Sequence, residues 1–241
     1  MNKRTTSARM LLILGLLMAH SQSLFAEVGD IACGSLKNAY GPFDYRSDKD
    51  KLDIVEGAHL TPDVVNLIRG NTGTLGGDID YTLRAFPNHP QALMAMVRLG
   101  EKQHQSTPVG AHYSVECYLY RASKFKPDDS TVKMIYANYL AKNGRGSEAL
   151  KYLDEIVEQG GEDANLYYNM GLIYLDLKQY DKALGFAHRA YQMGFPLPGL
   201  RDRLKRMKKW SEPLPTAVPP ADPEPDEAAD TPTPASNPAG N

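Results

Sequence analysis

The sequence is 241 residues long, 42% apolar, and carries 27 basic against 29 acidic residues, a formal net charge of −2. That apolar share supports a buried core, and the length suits one domain with an added tail. The near balance of charge leaves no electrostatic footprint for nucleic acid, which is excluded as a partner.

Residues 1–26 read as a secretory signal peptide. Lys3, Arg4 and Arg9 give a positive start, residues 10–19 make an apolar run, and small residues follow. A run of that length is too short to cross a bilayer, which takes about 20 residues. Cleavage is expected after Ala26, with Ser21 and Ser23 as alternatives, which places the mature chain in the periplasm or outside the cell. Asp30, three residues before Cys33, and the distance from the apolar run speak against a lipidated cysteine there. Removing the three signal-peptide cations leaves 24 basic against 29 acidic residues, a charge of −5. Six of those carboxylates lie beyond residue 210, where there is no Lys or Arg, so the part between is close to neutral at +1.

Between 27 and 77 no helical period holds for long. Gly41-Pro42 with Asp44 marks a bend. Thr61 followed by Pro62 reads as a cap and first helical residue, opening a short helix through Val64, Val65, Leu67 and Ile68 that Gly70 stops. A glycine-rich loop over 71–78 follows. Residues 78–86 form a helix ended by Pro87, and 90–102 a second one carrying Ala92, Leu93, Ala95, Met96 and Leu99. After a loop with Pro108 and Gly110, a third helix is expected over 112–125. Residues 27–89 are thus an irregular segment with short helices, and 90–129 a degenerate helix pair with a lengthened turn.

Residues 130–163 and 164–197 then align without a gap as two 34-residue units. The second unit places Tyr167, Met170, Gly171, Tyr174, Tyr180, Ala183 and Ala190 at positions 4, 7, 8, 11, 17, 20 and 27, and Pro196 at 33. The first keeps Tyr136, Ala137, Leu140, Ala149 and Ile156, with Lys133 at position 4 and Gly146 at 17. Small residues at 8, 20 and 27 let backbones approach while the large ones fill the space between. Gly171 costs about 1 kcal/mol against alanine in mid-helix, so close helix packing is its expected reason.

This pattern resembles the tetratricopeptide repeat, which implies antiparallel helix pairs stacked into an all-α solenoid. In addition, residues 40–46 (YGPFDYR) and 77–90 (GDIDYTLRAFPNHP) look like the N-terminal part of a group of exported proteobacterial repeat proteins. That second resemblance spans 33–210 and implies no chemistry. The repeat family lines a concave groove with the first helix of each unit. Carried over by position, the groove residues are Thr131, Met134, Asn138, Ala141 and Lys142, then Asn165, Tyr168, Leu172, Leu175 and Asp176. Asn138 and Asn169 resemble two parts of the family's carboxylate clamp, but Met134 and Tyr168 stand where its cations would help. The expected ligand is therefore a peptide or protein segment held by apolar and hydrogen-bond contacts. The competing reading packs Tyr168 and Leu172 against the N-terminal segment, which then fills the groove itself.

Residues 198–210 form a capping helix. Leu200, Leu204 and Met207 make one apolar stripe, and Arg201, Arg203, Lys205, Arg206, Lys208 and Lys209 oppose Asp202 alone on the other face. Besides capping, such a face suits peripheral contact with anionic lipid or an acidic partner. Residues 211–241, rich in Pro, Ala and acid, are expected to be a disordered spacer.

Cys33 and Cys117 form an even count in an exported chain and are compatible with a disulfide; two buried thiols are the alternative. No catalytic constellation stands out: there is no HExxH, no CxxC, and no lysine after the glycine-rich loop. His112 and Cys117, five apart, are the best pair for a metal, with His59 or His89 nearby, but neither a metal nor a cofactor is expected. The leading reading is a non-enzymatic exported scaffold for a cell-envelope protein. The alternative is an envelope enzyme or metal protein centred on the N-terminal segment.

Overall fold

A computed structural model of the chain describes residues 33–160 and 163–213; the expected signal peptide and nearly all of the expected tail lie outside them. Ten α-helices and one 3₁₀ turn make up the regular structure, and among the described residues there is no strand.

The 34-residue period is a period of the backbone. Helices α6 (Ser130–Lys142) and α7 (Gly146–Glu158) are followed by α8 (Ala164–Asp176) and α9 (Tyr180–Gln192), each boundary 34 residues after its counterpart. Asp129 and Asp163 cap the first helix of each pair, accepting from Thr131 N and Val132 N and from Leu166 N, which satisfies amides that a helix start leaves unpaired. Ala137, Ala149, Ala183 and Ala190 are wholly buried. Where the second unit has Tyr167 beneath the Arg189 guanidinium, the first has Lys133, its stem buried and its Nζ 2.7 Å from Glu155. The same cross-helix contact is thus kept with different chemistry.

A second, looser repeat precedes these. Helix α3 (Leu75–Ala85) leads through a four-residue turn into α4 (Pro90–Gln103), as α5 (Val115–Phe125) leads into α6, 40 residues later. Thr74 and Ser114 cap α3 and α5 through Gly77 N and Cys117 N, and the residues that end the two helices, Phe86 and Lys126, share nearly one backbone conformation (φ −127°, ψ 82° and φ −133°, ψ 83°). Helices α4, α6, α8 and α10 (Gly199–Arg206) pack side by side as an inner row, and α5, α7 and α9 follow their partners on the outside.

Several boundaries differ from expectation. Helix α1 (Leu52–His59) was not anticipated: only Leu52 and Val55 are buried, too few to show a period, and it is held by packing on α3 beside Ala85 and Phe86. Helix α2 (Pro62–Val65) stops early because Leu67 turns left-handed, at φ 57°, and buries its side chain, leaving Ile68 exposed. Helix α3 starts three residues before Asp78, whose buried carboxylate accepts from Asn71 N and Thr72 N and so folds the glycine-rich loop back. Helix α5 starts at Val115 rather than 112 because His112 N and Tyr113 N donate to the Tyr118 hydroxyl instead. Met207 leaves the apolar stripe: α10 ends at Arg206, and Met207 is exposed.

The N-terminal segment lies over the outer helices. Cys33 and Cys117 are joined by a disulfide, and Arg121 Nη1 donates to the carbonyls of Cys33, Gly34 and Ser35. Further along, Phe43 N donates to Ala85 O, and Gly41, at φ 95°, passes so close that a Cβ would sit 2.5 Å from that oxygen. Buried Asp44 accepts from the Arg46 guanidinium and backbone N–H and from Asn88 Nδ2, with Lys126 Nζ at 3.1 Å. Asn88 Nδ2 donates to Asp129 as well, so this polar cluster ties the segment to the α5–α6 turn.

Burial raises the Asp44 carboxyl, but the hydrogen bonds from Arg46, Asn88 and Lys126 outweigh it and hold the group well below the ordinary 3.8. A depressed carboxyl contributes stability that is complete above its unfolded value and is lost as pH falls through the folded one. For the fully buried His89, burial outweighs the bond to Glu56 and lowers the pKa below the ordinary 6.5. The unfolded chain therefore takes that proton first, and stability begins to fall below 6.5. Denaturant unfolding against pH should show both limbs. Asp44→Asn should flatten the lower one and cost about 1–3 kcal/mol at neutral pH through unpaired partners; an unchanged acid limb would exclude Asp44 as its source.

Gly171 supports a second prediction. A Cβ there would lie 2.5 Å from Leu200 Cδ2 and 3.4 Å from Ala183 O. Gly171→Ala gains about 1 kcal/mol of helix propensity but overpacks the contact with α10, at about 1–3 kcal/mol. Net destabilisation is expected in thermal unfolding, and adding Leu200→Ala should cost less than the sum of the two single changes.

Candidate binding cleft

The inner row of helices encloses a cleft of about 520 Å³. Helix α4 contributes Gln91, Met94, Val97, Arg98 and Glu101; α6 contributes Met134, Ile135, Asn138 and Lys142; α8 contributes Asn169, Leu172, Ile173 and Asp176. These residues recur three or four apart, so each helix turns one continuous face to the cleft while its other faces enter the core. Val65 of α2 and Arg203 of α10 complete the lining.

The floor is apolar and the rim polar. Met94 and Met134 occupy the same place in consecutive inner helices, and unbranched thioether side chains adapt to varied apolar groups. Asn138, half-buried, has no hydrogen-bond partner among the described residues, while Asn169 Nδ2 donates back to Asn165. Along one edge Lys142 Nζ lies 3.3 Å from Glu101, and Arg203 donates to Asp176. Such partly exposed pairs contribute about 0–1 kcal/mol, so opening them toward a ligand costs little. Arg98 Nη2 and Lys102 Nζ donate to the carbonyls of Val65 and Leu67 and fix α2 beside the cleft.

Of the residues expected to form the groove, Met134, Asn138, Lys142, Asn169, Leu172 and Asp176 line this cleft. Asn165 and Tyr168 do not, nor do Thr131, Ala141 and Leu175. Tyr168 is buried, its ring stacked on Phe195 at 4.3 Å and edge-on to Tyr191 at 6.5 Å. The connection between α9 and α10 folds over it, because α8 is the last inner helix before the cap and that side needs covering. Of the described residues of the N-terminal segment, 33–48 lie against α3, α5 and the α5–α6 turn, while Val65 and Leu67 are hydrogen-bonded to α4 and Val65 alone of the described residues before α3 lines the cleft. The five residues from α4 were missed because the groove was drawn from the two 34-residue units only. The equivalence of Met94 and Met134, each four residues into its helix, was the available signal.

Three of the described histidines are each paired with one carboxylate. His59 Nδ1 lies 3.0 Å from Asp78, His89 Nε2 2.9 Å from Glu56, and His112 Nδ1 2.7 Å from Asp80. Asp80 also accepts from the Tyr118 hydroxyl, whose pKa is raised first by burial and then by that carboxylate. Cys117 is consumed by the disulfide, so it offers His112 no thiolate to share a metal, and among the described residues no group of three such side chains is placed to hold one. No described helix is long and apolar enough to cross a membrane. No protein-family model matches the chain, and no curated protein matches it.

Proposed function

We propose that the chain is an exported, non-enzymatic scaffold whose tetratricopeptide-type repeats hold a peptide or protein segment of the cell envelope in the cleft. The observation that carries this reading is a cleft built from the same face of three successive helices, with an apolar floor and a free amide at Asn138. A peptide can fill such a floor with side chains and pair its backbone with an amide that both donates and accepts. Export is supported by the character of residues 1–26 and by the Cys33–Cys117 bridge, which persists in an oxidising compartment.

Photoreactive residues in place of Met94 or Leu172 should crosslink one and the same envelope protein in intact cells, and one in place of Val157, on an outer helix, should not. Met134→Asp should lower the yield by about tenfold or more, since an unpaired carboxylate on an apolar floor must be desolvated to bind. Equal adducts from all three positions, or a yield indifferent to Met134→Asp, would remove the cleft as the site.

A further inference from the structure

Helix α10 closes the inner row with one face and leaves the other to solvent. Leu200 and Leu204 are fully buried against α8 and α9, whereas Asp202, Lys205 and Arg206 are exposed. The six cations of 199–210 divide by what they touch. Arg201 lies over the Tyr191 ring and Arg203 donates to Asp176, so these two face the rest of the fold. Lys205 and Lys209 rest on the rings of Trp210 and Tyr180, with exposed ammonium-bearing side chains. Arg206 and Lys208 are exposed, and their side chains have no ion-pair or hydrogen-bond partner among the described residues.

The turns flanking this helix carry exposed apolar side chains. Met193 is 48% exposed, Leu197 55% and Met207 44%, three exposed large apolar side chains within fifteen residues. Trp210, half-buried, stands edge-on to His188 at 5.0 Å and to Tyr191 at 6.0 Å. An acidic polypeptide would answer the charges and leave these side chains unused. An anionic bilayer answers both: cations sit among the head groups while thioether and leucine side chains enter the boundary with the acyl chains, and tryptophan favours that interface.

We propose that α10 with its flanking turns is a docking surface for a bilayer rich in anionic lipid. It goes beyond the cleft and does not depend on what the cleft holds. Because the residues beyond 210 add six carboxylates and no cation, the measurement uses the complete exported chain.

Co-sedimentation with phosphatidylcholine vesicles, with and without phosphatidylglycerol, tests it. Binding is expected only with the anionic lipid and should be lost in high salt. Each cation near such a surface tightens binding by about fivefold, so Arg206→Gln with Lys208→Gln should weaken it by about 25-fold. Met207→Gln with Leu197→Gln should weaken it further, with circular dichroism unchanged because none of these side chains enters the core. Failure of the complete chain to bind phosphatidylglycerol vesicles would overturn the proposal, as would binding indifferent to Arg206 and Lys208. So would a surface that soluble polyglutamate saturates regardless of Met207 and Leu197, which assigns it to an acidic protein.

Discussion

Each helix pair in this chain has more apolar surface to bury than its own two helices can cover. The wholly buried alanines at 137, 149, 183 and 190 let neighbouring backbones approach, and the resulting close contact is lost if any pair is left without its neighbour. The ends of the row are therefore the vulnerable places. At the C-terminal end the demand is met by α10, whose Leu200 side chain takes the space a methyl at Gly171 would need.

The stretch that precedes the first helices is attached by different means. Residues 33–48 form one 3₁₀-free stretch without an apolar stripe of their own, so hydrophobic burial cannot hold them along their length. They are fixed at two points instead: the disulfide with the Arg121 contacts at one end, and the Asp44, Arg46 and Asn88 cluster at the other. Between them Phe43 packs on Phe86 and Tyr40 on Phe43. A bridge that closes a loop of 84 residues removes about 4–5 kcal/mol of unfolded-state entropy in the chain-entropy account, which is comparable to the net stability of a small domain. Covalent and polar attachment thus substitutes for core where the sequence offers little core.

What was legible in the sequence follows the same division. Helices α6 to α9 could be placed from small and large residues at fixed positions, because regular packing imposes a regular pattern. Helix α1 could not, since two buried residues in eight make no period. The early end of α2 and the late start of α5 depend on Leu67 turning left-handed and on the Tyr118 hydroxyl, a residue-specific backbone event and a contact that no spacing encodes. The cleft was half legible: position within a repeat located Asn138 and Leu172, but the end of a row has neighbours that its interior lacks. Tyr168 therefore went to the connection beneath α10, and the α4 face entered the cleft through a repeat whose spacing of 40 differs from 34.

The charges of the cleft are informative because the fold does not need them. Glu101, Lys142, Asp176 and Arg203 come from the four successive inner helices, and their bridges, Lys142 to Glu101 and Arg203 to Asp176, are half exposed and therefore contribute little to stability. Their effect is on the field instead. Four of the five charged groups lining the cleft cancel in pairs, and Arg98, the fifth, donates to the Val65 carbonyl and leaves a net charge of +1. One net charge, screened by solvent, steers a charged ligand only weakly at a distance. On the proposed reading, selection occurs mainly at contact, through the fit of apolar groups to Met94, Met134 and Leu172 and the pairing of one amide at Asn138. That form of recognition is tolerant of sequence and suits a segment defined by shape more than by charge.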